Sequence, residues 1–189
     1  MAPHLEAFRQ RGWDVILLTD PVDEWLVQVL TSFEETPLES VSRGELELDD
    51  DGAEKVDISG LSPWLQGVFG GAVASVRPST RLTESPAVLV DDVHGPSANM
   101  ERILRAAQQE VGPARRHLEL NVKHPLVRDL ATLHARGATE VAEPIARLLL
   151  DEALLLEGSV RDAPALGRRL QGLLQQAAAQ AVARASLDA

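Results

Sequence analysis

The end of the chain constrains the fold most. Thr139 to Leu156 places Ile145, Leu148, Leu149 and Leu156 on one helical stripe, while Val141, Leu150, Leu154 and Leu155 fall on other faces. A surface helix carries one apolar stripe; this one is apolar over most of its circumference. Gly158 ends it, and Asp162 with Pro164 starts a second helix, reaching Ala183, whose Leu166, Leu170, Leu173, Leu174, Ala177 and Ala181 recur at helical spacing. The short connection makes the pair an antiparallel hairpin. Full burial of a leucine is worth about 1.5–3 kcal/mol, so a hairpin this apolar needs a cover. Two covers are open: a second copy across a two-fold axis, giving a four-helix bundle, or the chain's own sheet. The pattern favours the second copy.

Ahead of the hairpin, strands and helices alternate, which predicts a mixed α/β (α+β) chain. Leu61 to Phe69 reads as a helix closed by Gly70-Gly71, Val73 to Val76 and Ala87 to Val90 as strands, and His117 to Leu120 as a third strand. Ser97 to Gln109 reads as an amphipathic helix with Met100, Ile103, Leu104 and Ala107 on one face, and Pro125 to Ala135 as a helix stopped at Gly137. The acidic run Asp49-Asp50-Asp51-Gly52 predicts a linker over 49–60, separating a small α/β unit, 1–48, from a larger domain, 61–189. In the small unit His4 to Arg11 is a short helix with Leu5 and Phe8 on one face. The continuous apolar run Trp13 to Thr19 predicts a strand buried on both faces. Asp20-Pro21 starts a helix through Trp25, Leu26, Val29 and Leu30, with Asp23 and Glu24 suiting the positive end of its dipole. A second strand is predicted around Leu38 to Val41.

Composition narrows the function. With 29 acids against 18 bases the net charge is −11, which argues against binding nucleic acid or an anionic membrane. The absence of cysteine excludes disulfides and thiolate chemistry. No apolar run approaches the ~20 residues of a membrane span, and no signal peptide is recognisable, so a soluble cytoplasmic protein is expected. The five histidines lack paired-ligand spacing, so no metal site is expected. Gly95-Pro96-Ser97-Ala98-Asn99 approaches a nucleophile elbow, but its last position is not glycine. A small serine hydrolase built on Ser97, with His117, His124 or His134 as base, is the remote alternative; helix N-capping explains Ser97 without further assumptions.

Several strings, in order, carry a resemblance. Leu5-Glu6-Ala7-Phe8, Val15-Ile16-Leu17-Leu18-Thr19-Asp20-Pro21-Val22-Asp23-Glu24-Trp25, Arg81-Leu82-Thr83-Glu84-Ser85-Pro86-Ala87, Asn99-Met100-Glu101-Arg102, Leu118-Glu119-Leu120-Asn121 with His124-Pro125-Leu126-Val127, and Leu150-Asp151-Glu152-Ala153-Leu154-Leu155 with Gly158 closely resemble the heat-shock protein 90 family of chaperones, bacterial HtpG type. The resemblance implies the end of a middle domain followed by a C-terminal dimerisation domain. It implies a homodimer through Ile145, Leu148, Leu149, Leu156, Leu166, Leu170, Leu173, Leu174 and Ala177. It further implies binding of non-native client proteins at Trp25, Met100, Ile103 and Leu104, with Pro96 standing where the family pattern can have methionine. The family's ATP and Mg site and its supporting arginine belong to stretches not in this sequence, so no catalytic residue and no cofactor are expected here. The sequence shows no EEVD ending for helical-repeat cochaperones. The alternative within the same architecture is an acidic homodimeric adaptor that ignores clients.

Overall fold

The computed structural model describes residues 2–46, 48, 55–109, 115–160 and 162–187. A 3-10 turn over Pro3–Leu5 leads into α1 (Glu6–Gln10), which buries Ala7 and Phe8 and ends where Gly12 takes a positive φ. The Trp13 to Thr19 strand does not form: the run is irregular and Ile16 is 80 % exposed. A strand buried on both faces needs neighbours on either edge and a layer above and below, and the described residues supply neither. The helix α2 (Asp23–Val29) follows, with no buried residue. Beyond it β1 (Ser32–Phe33) pairs antiparallel with β2 (Thr36–Pro37) in place of the expected strand at Leu38 to Val41.

The acidic stretch Asp49 to Gly52 lies outside the described residues. The end of the predicted linker does not behave as one: Ile58 is buried in the core, and the Val56 N–H donates to the Val122 carbonyl. Next come α3 (Leu61–Phe69), β3 (Ser75–Pro78), β4 (Ala87–Asp91), α4 (Ala98–Ala106), β5 (Arg116–Leu120), α5 (Pro125–Ala135), α6 (Thr139–Glu157) and α7 (Ala163–Leu187). β5 is the middle strand of a three-stranded sheet, parallel to β3 and antiparallel to β4. Because side chains alternate, Ala87 and Leu89 of β4 and Leu118 and Leu120 of β5 face one side. There they meet Leu61 and Leu65 of α3, Val127 and Leu130 of α5, and Ala146, Leu149 and Ala153 of α6. Val88 and Val90 face the other side with Leu82. Burial on both faces explains why β4 reads as an unbroken apolar run.

The first part of the chain is fastened to the outer edge of β4 and to the segment around Arg81 rather than folded on a core of its own. Residues 42–44 run along β4: Asp91 N–H donates to Ser42 O, and Gly44 N–H donates to Asp91 O, each at 3.0 Å. Ala7 N–H donates to Arg81 O at 3.1 Å.

Candidate functional site

The site residues expected from the sequence fall on two surfaces, one on α2 and α4, the other on the terminal hairpin. On α2, Trp25 is 48 % exposed and Leu26 and Val29 are also open to solvent. α4 begins at Ser97, an N-cap whose Oγ accepts the Met100 N–H at 2.9 Å. Its Ile103 and Leu104 are half-buried. Met100 departs from the expectation of an open contact: it is 7 % exposed. It sits at the centre of the helix's apolar face, where burial gains most, and Ile103 and Leu104 lie nearer the rim. The Glu24 carboxylate of α2 accepts hydrogen bonds from the Ser97 hydroxyl and the Asn99 side-chain amide, both at 2.8 Å. Ser97 therefore caps α4 and donates its hydroxyl to a carboxylate.

Buried charge ties these elements to the sheet. Arg81, wholly buried, donates through Nε to Glu119 at 2.8 Å, and through its terminal nitrogens to the carbonyls of Val41 and Gly44. Arg77 reaches the same Glu119 carboxylate at 3.0 Å. Glu6 accepts from the backbone N–H groups of Thr83, Glu84 and Ser85 and from the Ser85 hydroxyl. Burial pushes its carboxyl up, but these donors together hold it below the ordinary range. At the far end of the sheet Arg116 sits among Glu101 of α4 at 3.0 Å, Glu157 of α6 at 3.1 Å and Asp91 of β4 at 4.0 Å. Burial raises the Asp91 carboxyl against the opposing Ala98 amide and Arg116, and burial likewise raises that of Glu157. None of these long-range pairs has a local signature in sequence.

The chain's own sheet covers only part of the hairpin. Leu149 is 2 % exposed and belongs to the chain's own core, with Ile145 and Leu154 packed on it, so Leu149 does not lie on a free surface. The physical reason is the sheet beneath α6, which takes the face carrying Ala142, Ala146, Leu149 and Ala153. Leu148 is half-buried and Leu156 exposed. α7 packs on α6, where Arg169 pairs with Asp151, yet Leu170, Leu173, Leu174 and Ala177 remain exposed, Leu174 at 69 %; Leu166 is half-buried.

A family model described as Hsp90 protein matches residues 1–188. The chain belongs to the Hsp90 family. Relatives named chaperone protein HtpG include that of Mycolicibacterium gilvum, 42 % identical over 184 residues, and that of Mycolicibacterium vanbaalenii, 43 % identical over 184 residues, each match covering 92 % of this chain. The HtpG of Mycobacterium tuberculosis is 43 % identical over 175 residues, 87 % of this chain. The Hsp90-family chain described here spans only 27–28 % of the length of these relatives. Among its described residues, no cluster of three or more His, Asp or Glu is placed to hold a metal ion, and no helix is long and apolar enough to cross a membrane.

Proposed function

We propose that this Hsp90-family chain is a dimerising, client-holding chaperone segment: α6 and α7 join two copies, and the α2–α4 surface holds apolar segments of non-native proteins. The observation that carries the reading is α7, a 25-residue helix whose Leu170, Leu173, Leu174 and Val182 stay exposed after it has packed on α6. The second copy of the same helix is self-complementary to that stripe and closes the assembly at two. Joining two copies places two client surfaces on one frame and raises their effective concentration toward a client that spans both. On this reading the segment works in the cytoplasm and turns over no nucleotide itself; the chaperone name of its relatives supports client holding.

Light scattering of the Leu170→Asp, Leu174→Asp chain tests the dimer: half the wild-type mass is expected, and an unchanged dimer mass overturns it. In the dimeric Ile103→Ser, Leu104→Ser chain, suppression of a model client's aggregation is expected to fall several-fold. Wild-type suppression in that variant would leave a dimeric adaptor without client binding.

A further inference from the structure

Glu24 stands directly before Trp25 on α2, and its carboxylate is engaged by another helix. One oxygen takes the Ser97 hydroxyl and the other the Asn99 amide, both at 2.8 Å. The Ser97 oxygen simultaneously accepts the Met100 N–H. A hydroxyl that donates to a carboxylate becomes a better acceptor, so the N-cap of α4 and the grip on α2 strengthen each other. The carboxylate also faces the positive end of the α4 dipole. No residue of α2 is buried, so this two-point bond fixes a helix that packing does little to hold.

We propose that Glu24 is a positioning residue that clamps α2 to the start of α4, so that Trp25 and the Ile103–Leu104 edge act as one composite contact for extended apolar segments of client chains. The inference rests on the client-holding reading above. It assigns the glutamate to the geometry of the surface rather than to the client.

An exchange of partners tests it. Asn99→Asp sets carboxylate against carboxylate while keeping an acceptor for Arg102, which donates to Asn99 Oδ1. An acid in the first turn also favours α4, so the helix itself is preserved. Adding Glu24→Gln restores an amide–carboxylate pair with the roles reversed. With 5-fluorotryptophan incorporated, the three tryptophans give three fluorine resonances, and Trp25→Phe identifies the relevant one. In the 189-residue chain, Asn99→Asp is expected to shift the Trp25 resonance and cut suppression of client aggregation several-fold, and the double variant to restore both. An unmoved Trp25 resonance in Asn99→Asp, or a shift that Glu24→Gln fails to reverse, overturns the clamp. If the resonance moves and returns while suppression stays constant, the composite contact is overturned. Ile103→Ser with Leu104→Ser then separates the cases: lost suppression leaves client holding intact without the clamp, and retained suppression removes client holding too.

Discussion

His4 lies against the second face of the sheet in surroundings that oppose its protonation. Burial is the larger effect and Arg81 adds to it, outweighing Glu119 and Glu6, so its pKa falls from 6.5 to about 4. An unfolded chain takes up a proton on His4 as the pH drops below 6.5; the folded chain resists until about 4. The stability linked to neutral His4 is therefore complete above that interval and lost on descending through it, on the order of 2–3 kcal/mol. Glu6, whose carboxyl is lowered, works in the same sense: its contribution is present above its unfolded pKa and disappears as the pH falls through its folded one. Asp91 and Glu157 work in the opposite sense. Their raised carboxyls take up protons in the folded state first, so stability declines as the pH rises through the interval between unfolded and folded values. Urea denaturation between pH 7 and pH 4 should show a smaller loss for His4→Leu than for the parent, by about 2 kcal/mol.

At the scale of elements, Gly158 terminates α6 in a left-handed conformation with φ of 76°, and the backbone turns back through Ser159 N–H donating to Leu154 O. An added Cβ would meet only the tip of Arg102 at 3.9 Å, so the cost of Gly158→Ala is backbone strain alone. Thermal denaturation should register a loss of about 1 kcal/mol for Gly158→Ala and less for Gly158→Asn. Signals of this local kind are what the sequence makes readable. The Gly70 stop of α3, the His124-Pro125 start of α5 and the Gly158 end of α6 each mark a boundary within a few residues of where the structure has it. The Trp13 to Thr19 run misleads because composition reports a strand's affinity for a sheet interior, not whether neighbours exist to build one. The β1–β2 hairpin escapes notice for a different reason. Its turn residues Glu34 and Glu35 both have positive φ, a conformation that Asn-Gly would advertise and two glutamates conceal. In the candidate site, Trp25 and the Ile103–Leu104 pair come into view through the family resemblance; helical spacing alone reads Ile103 and Leu104 as core and leaves Trp25 open between core and surface. The depth of Met100 depends on the body beneath α4, and Glu24 reads from its helix alone as a dipole partner. Its actual partners lie more than seventy residues away.

For the molecule as a whole, α7 keeps a row of leucines exposed after packing on α6, and in the proposed dimer these leucines couple folding to association. If two copies bury them together, dilution must weaken the fold, because mass action favours whatever species the partner binds. The midpoint of thermal unfolding should rise with protein concentration in the parent chain and become independent of it in Leu170→Asp with Leu174→Asp, as calorimetry across a dilution series would show. The fastening of the first part of the chain has a mechanical consequence as well. Glu6 is anchored in the 83–85 turn, and the carbonyls of Val41 and Gly44 are anchored on Arg81, so both ends of the 13–40 excursion are moored to one rigid body. Traction on the amino-terminal end is delivered to the 83–85 turn through Glu6, and the intervening stretch has its own mid-span tie at Glu24, so load applied at either end bypasses the surface that carries Trp25.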